Sequence, residues 1–415
     1  MKVLLAHKYM WRGGGTATYL FALMEELERR GHEWIPFTVA YDKTAVNTYD
    51  EYFVTPPLGA GESHYEQMRL SPLAMLKLLG RATYSLEARD KAARLIDDTA
   101  PHIAYIHNIY NYMSPSVLDA CACRELPVVM RVPDYNLMCA ELHFLRHGEM
   151  CTECIKGSYW KAVQHRCLKS SFAASAARAG AMYMHKWLHI YDNVDLFITP
   201  SAFMRERLIE AGFDGDRIVH LQSFYPGQIP QTERAPEGDY VLYFGRVAPE
   251  KAIDTLIKAA ARLDRDVRVL IAGADVDGTE AQLRQLAADV GAERVEFVGF
   301  QDRESLDRLI AGSLFTVVPS RWFDNCPMAV LESFAHGKPV VASDVGGIPE
   351  QITEDCGILC EHDNPEQLAG AMQTLIDDSA LRHTMGDAAR KRLQTHYSPE
   401  LHCDRLLELF ERLIA

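Results

Sequence analysis

At 415 residues, 48% of them hydrophobic, the chain is long enough to bury two independent cores, and a single domain of that size would be unusual. Lys and Arg number 43 against 57 Asp and Glu, a net charge of −14, which argues against general attraction to nucleic-acid phosphates and leaves room only for a local basic pocket. No stretch reaches the roughly 20 uninterrupted apolar residues of a spanning helix, and Met1 to His7 lacks the cleavage pattern of a signal peptide, so the reading is a cytoplasmic protein, soluble or peripheral.

The first strand is expected over Val3 to Ala6. It runs into Arg12-Gly13-Gly14-Gly15-Thr16 and a helix, Thr16 to Arg30, closed by Gly31. Glycines at such a turn let backbone amides approach a phosphate at the positive helix end, which makes Gly14 and Gly15 candidate cofactor-binding residues. The plainer alternative is a tight turn, and a dinucleotide fingerprint would want glycine where Thr18 stands. Strand-length runs follow at Ile103 to His107, Val128 to Val132 and Leu196 to Thr199, with a helix from Ala202 to Ala211 ending at Gly212.

Between them, Cys139, Cys151, Cys154 and Cys167 form a C-x11-C-x2-C-x12-C pattern. A close pair flanked by two more thiols suits tetrahedral zinc, with the metal ordering a loop and not activating water. Free thiols, a redox pair, disulfides, or a ligand drawn from His143, His147 or His165 are the alternatives. Tyr65, Tyr110, Tyr112, Tyr135 and Trp160 are candidates for stacking on sugar rings, although aromatic residues more often fill cores.

Pro226, Gly227, Pro230, Pro236 and Gly238 mark Phe224 to Gly238 as a linker. Strands are expected again at Tyr240 to Gly245, Val267 to Ala272, Val295 to Val298, Leu314 to Val318 and Val340 to Ser343. The alternation predicts an α/β fold of two Rossmann-like domains with parallel sheets. The domains are set at 1–223, with a cysteine-rich insertion at about 139–167, and 224–398. The closing amphipathic helix, Pro399 to Ala415, is expected to cover the first of them.

After the strand ending at Gly245, Arg246 and Lys251 stand five residues apart at a helix start. Cations there oppose the helix dipole and so suggest an anion between them; a planar fork and a point charge together suit a diphosphate. Farther on, a polar loop carries Asp324 and Asn325 into a helix that begins near Pro327 and stops at Gly337. Asp324 and Glu332 thus bracket one helix N-terminus, a placement in which two carboxylates can hold hydroxyls of two different sugar rings. A solvated loop and a plain helix surface are the structural alternatives.

In order and spacing, Gly13-Gly14-Gly15, Gly245-Arg246 with Glu250-Lys251, Val298-Gly299-Phe300, Asp324 to Glu332, and Gly346-Gly347-Ile348-Pro349-Glu350 resemble the retaining GT-B glycosyltransferases of family four, glycosyl transferases group 1. The resemblance implies two facing domains with a cleft between them and a nucleotide-diphosphate sugar as donor. It implies that Arg246 and Lys251, beside Gly245, bind the diphosphate, that Glu332 holds the ribose and that backbone around Phe300 meets the base. Asp324, Asn325 and the backbone of Met328, Ala329, Val330 and Leu331 would face the donor sugar and phosphates, so the candidate catalytic residues are Arg246, Lys251, Asp324 and Glu332. The implied chemistry needs no catalytic metal: charge growing on the leaving diphosphate is met by prearranged cations.

Two departures stand out. The usual first carboxylate is Glu and here is Asp324, and where relatives read His-Asp-Tyr this chain reads Val132-Pro133-Asp134-Tyr135, with His107 as a candidate substitute for the missing histidine. The implied acceptor is a glycan, a lipid-linked molecule or a small molecule; a lipid-linked one would bring the chain to the inner membrane face as a peripheral protein, though no strongly basic amphipathic helix announces this. An epimerase or phosphorylase of similar architecture and a non-catalytic nucleotide-sugar-binding protein are the competing readings.

Overall fold

The computed structural model describes residues 1–11, 15–45, 48–56, 72–110, 113–230, 235–264, 266–275 and 278–415, without the side chains of 15–16 and 72–77. It divides into two compact units: Met1–Arg146 with Cys151–Gln222 and Pro399–Ala415, and His147–Met150 with Ser223–Ser398. Gly14, with Arg12, Gly13, Tyr65 and Tyr112, lies outside the described residues.

The first unit holds a parallel sheet in the order β2-β1-β3-β4-β5-β6, made of β1 (Lys2–His7), β2 (Glu33–Phe37), β3 (Ile103–His107), β4 (Val128–Arg131), β5 (Leu196–Thr199) and β6 (Ile218–His220). Every residue of β3 and β4 is buried, which is why these segments read as unbroken apolar runs: helices cover both faces of the sheet. The chain leaves β1 toward β2 on one side and continues from β3 on the other, so the strand order reverses between β1 and β3.

Helix Gly15–Arg29 follows β1, and Gly31, at φ 81°, makes the left-handed turn after it. The late helix Pro399–Ile414 also belongs to this unit. Its buried residues, His402, Cys403, Leu406 and Phe410, fall on one face by helical spacing. The Phe410 ring lies 5.7 Å from that of Tyr105, His402 Nε2 sits 2.7 Å from the Tyr19 hydroxyl, and Arg30 pairs with Asp404 at 2.5 Å. Burying Leu406 and Phe410 stabilises the docking by about 1.5–3 kcal/mol each.

The second unit repeats the plan in the order β9-β8-β7-β10-β11-β12, from β7 (Tyr240–Phe244), β8 (Arg268–Ala272), β9 (Val295–Gly299), β10 (Thr316–Val318), β11 (Val340–Ser343) and β12 (Gly357–Cys360). Alternate residues of β7 feed two cores: Val241 and Tyr243 join one cluster with Leu256 and Met372, while Leu242 and Phe244 join another with Ile310. The order reverses between β7 and β10, so the chain continues from those two strands to opposite sides of the sheet, and the carboxyl edge between them is the position where open α/β sheets take ligands.

The proline- and glycine-rich segment expected as a linker is tied to this unit. Tyr225 donates its N–H to the Tyr397 carbonyl at 2.9 Å, Gly238 donates to the Gly312 carbonyl at 2.8 Å, and Glu237 pairs with Arg382 at 2.7 Å. Among the described residues, no helix is long and apolar enough to cross a membrane.

Candidate functional site

The loop after β7 begins with Gly245 at φ 145°, a conformation that L side chains rarely adopt. Beside it the loop after β8 passes so close that a Cβ on Gly273 would overlap the Gly245 carbonyl oxygen. These two glycines let neighbouring strand ends meet backbone to backbone. The Tyr243 hydroxyl donates to the Arg246 carbonyl at 2.7 Å and fixes the turn that follows.

Arg246 and Lys251 do not sit in a helix. Pro249–Lys251 forms one 3-10 turn, and Ala252, in the left-handed region at φ 51°, separates it from the helix Ile253–Ala260. Each cation has its own carboxylate partner: Arg246 reaches Glu250 at 2.7 Å and Lys251 Nζ reaches Asp324 Oδ2 at 2.5 Å. The pairs differ in setting, with the Arg246 side chain 51% exposed and that of Lys251 18%. Lys251 also lies over the Trp322 ring, 5.2 Å from its centroid.

Asp324 comes from the loop after β10 and is held rigidly. Its backbone carbonyl accepts the Gly347 N–H at 2.7 Å, and its own N–H donates to the Trp322 carbonyl at 2.7 Å. Gly346, at φ 63°, presses against it: a Cβ there would come within 2.5 Å of the Asp324 carbonyl oxygen. Asp324 and Asn325 are both buried. Arg321 braces the same loop, bonding Asp254 and Asp363 and donating to the Pro249 carbonyl at 3.1 Å. The 3-10 turn that carries Lys251 and the loop that carries Asp324 are thus fastened to each other at three points, the third being the Arg321 N–H, which reaches the Glu250 carbonyl at 3.1 Å.

The helix expected near Pro327 spans Met328–Ala335, and Gly337, at φ 63°, turns the chain after it. No side chain caps its N-terminus, so first-turn amides are left without intrahelical acceptors, apart from the Val330 N–H, which reaches the Pro327 carbonyl at 3.2 Å. Val330 and Leu331 turn their side chains into the core, while Glu332 remains 19% exposed. Burial raises the Glu332 pKa, opposed by Arg303, whose Nη1 lies 2.6 Å from its carboxylate. Phe300 stands 77% exposed just beyond β9.

Arg303 was missed by the sequence reading. It joins Glu332, Asp307 at 2.8 Å and the Tyr225 hydroxyl at 3.0 Å, so it sets the position of the expected ribose carboxylate. The signal that singled out Lys251 was available, since Arg303 is also a cation at a helix start, opposite the sense of the dipole.

At the reversal point of the first sheet stand His7 and His107, their rings 5.4 Å apart. Both are buried, and burial lowers their pKa values, that of His7 to about 3 and that of His107 well below the usual value. His107 therefore occupies a strand end as a neutral imidazole. Among the described residues neither of its nitrogens has a hydrogen-bond partner. Tyr110 and Tyr135 are buried, which removes them as stacking platforms, whereas Trp160 is 52% exposed.

The zinc expectation finds no support among the described residues. Cys139 and Cys154 are buried, Cys151 and Cys167 partly so, and the thiol of Cys154 is close enough to feel the other three. Yet among the described residues no three His, Cys, Asp or Glu side chains converge in a way that could hold a metal ion. Burial raises the thiols of Cys139 and Cys154, and Cys154 packs in a core with Ala140, Tyr159, Ala162 and Met182.

Residues 14–222 match the family model described as glycosyl transferase 4-like domain, and residues 227–392 match that described as glycosyl transferases group 1. Among curated proteins, a D-inositol 3-phosphate glycosyltransferase of Corynebacterium glutamicum is 29% identical over 249 residues, 54% of this chain and 59% of that protein. A GDP-mannose-dependent monoacylated alpha-(1-6)-phosphatidylinositol monomannoside mannosyltransferase of the same species is 30% identical over 177 residues, 40% of this chain and 45% of that protein. The chain spans about half the length of the curated relatives it matches. Sucrose-phosphate synthase from Thermosynechococcus elongatus superposes with a TM-score of 0.69 at 18% identity, covering 99% of this chain and 98% of that one. HepE from Anabaena, solved in complex with UDP, gives 0.67 at 18% identity, covering 99% and 100%. With two parallel-sheet Rossmann-like units and family models across both, the chain belongs to the glycosyl transferase 4-like family of GT-B proteins.

Proposed function

We propose that the chain is a retaining glycosyltransferase that moves a sugar from a nucleotide-diphosphate sugar to a glycan, lipid-linked or small-molecule acceptor. The observation that carries the reading is the crevice where the second sheet reverses, which gathers Lys251, Asp324 and the uncapped start of Met328–Ala335. The complex of the Anabaena neighbour with UDP and the sugar-transfer names of the relatives support a donor of this class.

In this reading the diphosphate takes over Lys251 from Asp324, and Asp324 turns to the donor sugar. The Asp324 carboxylate holds the Lys251 ammonium in place, so the lysine is preorganised and costs little to reorient. As the bond from the sugar to phosphate breaks, charge builds on the leaving oxygens, and Lys251, Arg246 and the helix amides stabilise it. Glu332, fixed by Arg303, holds the ribose hydroxyls. Phosphate oxygen takes the acceptor proton, and attack from the leaving-group face retains the anomeric configuration.

The test is a thermal-shift screen of UDP, GDP and ADP with their sugars, followed by product analysis with and without acceptor. A ligand that binds only the folded chain raises the melting temperature, by about 2.7 kcal/mol of added stability at a hundredfold excess over Kd. Binding of a nucleotide sugar, with nucleotide released only when an acceptor is present, is the expected outcome. Conversion of free donor without acceptor would assign an epimerase, and binding without any turnover would assign a carrier.

A further inference from the structure

The helix Phe172–Trp187 in the first unit is apolar on its outward side as well as its inner one. Its buried face carries Ala179, Ala181 and Met182 together with Ser175, Arg178 and His185, where Arg178 donates to the Asn136 carbonyl at 2.9 Å and His185 bonds the Thr83 carbonyl at 2.7 Å. Its outward stripe, at helical spacing, is apolar: Ala173, Gly180, Tyr183, Met184 and Trp187, with Trp187 79% exposed. A soluble helix turned this way leaves a large apolar patch in water, which marks an interaction surface.

Neighbouring groups extend the patch and charge it. The Trp160 N–H donates to the Tyr183 hydroxyl at 3.1 Å, so a second exposed indole lies beside the stripe. Lys161 stands over the Trp160 ring at 4.6 Å and lies 3.8 Å from Glu153. Lys186 is so near Gly157 that a Cβ there would come within 2.6 Å of its Nζ, which places Lys156 close by in sequence. From Cys154 to Tyr191 the chain has six Lys and Arg residues and no Asp or Glu, although the whole carries −14.

We propose that this face docks on an anionic lipid bilayer, with Trp160, Tyr183 and Trp187 at the headgroup level and Lys156, Lys161 and Lys186 on the lipid phosphates. Indole and phenol rings seat at that depth, and lysine stems lie along apolar surface with the ammonium in the polar layer. A second copy of the chain is disfavoured as occupant, because a two-fold contact would set these cations against their own copies. The surface stands independently of the sugar-transfer reading, since neither donor nor acceptor enters the argument.

The experiment is co-sedimentation of the full chain with vesicles of phosphatidylcholine alone and of phosphatidylcholine mixed with phosphatidylglycerol. Binding is expected to the anionic vesicles, to weaken with salt, and to shift tryptophan emission to the blue. Lys156→Gln with Lys186→Gln should weaken it roughly twentyfold, at about fivefold per cation. Met184→Ser with Trp187→Ser should weaken it at least about tenfold; the residues are exposed, so melting temperatures should hold. Absence of binding to anionic vesicles, or binding that neither variant alters, overturns the proposal. So does a dimer in solution that Trp187→Ser dissolves while vesicles are left unbound.

Discussion

At the reversal point of the first sheet the strand ends present His7 and His107, buried, neutral and 5.4 Å apart, among the rings of Tyr9 and Tyr19. At the reversal point of the second they lead to Gly245 and Asp324, and the loops bring in Lys251 and Arg246 with a carboxylate on each. The topology is the same and the electrical character is opposite. Reversal of strand order supplies a crevice in either case, and loop sequence decides whether it is charged. A diphosphate needs the second kind. An uncharged hydroxyl is better served by the first, where a neutral imidazole can accept or donate a hydrogen bond.

Lys251→Ala tests this contrast most severely. The change removes the cation and leaves Asp324, which is buried, without its partner; turnover is expected to fall by roughly 10²–10³, about 2.7–4 kcal/mol. Steady-state sugar transfer, with a circular-dichroism check that the fold persists, reads the effect, and a near-normal rate would remove the charged crevice from the mechanism.

Acid should separate the units next. A histidine whose folded pKa is depressed contributes stability that is present above its unfolded value near 6.5 and is lost as pH falls toward the folded one. For His7, with a folded value of about 3, going from pH 7 to pH 5 costs about 2 kcal/mol. His107, His402 and His185, all lowered by burial, add in the same direction within the first unit, while the second brings His336 to this balance. Amide exchange at the two pH values should show the first sheet opening before the second; equal opening would dissolve the contrast.

Gly346→Ala is expected to cost about 1–3 kcal/mol through its left-handed backbone and its pressure on Asp324, and to weaken donor binding by loosening the Lys251 partner. Melting temperature and donor Kd would report it together. Arg246→Ala should matter least, about fivefold or less in donor affinity, because the side chain is half exposed and its pair with Glu250 is open to solvent. An effect as large as that of Lys251→Ala would mean that the exposed cation carries the diphosphate.

What was legible in the sequence follows burial. The strands read correctly are mostly interior ones, such as β3 and β7, whose five residues are all buried. Within the two six-stranded sheets, the three overlooked, β2, β6 and β12, are all edge strands; the two-residue strands Leu145–Arg146 and Glu149–Met150 of a separate hairpin were overlooked too. Pro36 interrupts the pattern of β2, β6 has only three residues, and β12 opens on Gly357. In the site, Lys251, Asp324 and Glu332 were singled out by position beside a helix or strand end, but the pairs they form were not. Pairing of Lys251 with Asp324 joins residues 73 apart, and that of Arg303 with Glu332 joins residues 29 apart, and no local pattern encodes either. The cysteine spacing did place the four thiols within reach of one another, as the interactions of Cys154 with the other three show, but spacing alone does not fix ligand geometry.

The helix Pro399–Ile414 has a further consequence during synthesis. All six sheet strands of the first unit leave the ribosome before the sheet of the second begins, yet the segment that covers Tyr105 and receives the Tyr19 hydroxyl follows only after the whole of Ser223–Ser398. Until it arrives, the nascent chain carries an unfinished apolar face while the intervening sheet can already close. Ribosome stalling or a premature stop before Leu406 should therefore yield a chaperone-bound product in which the later-made sheet is native and the earlier-made one is not.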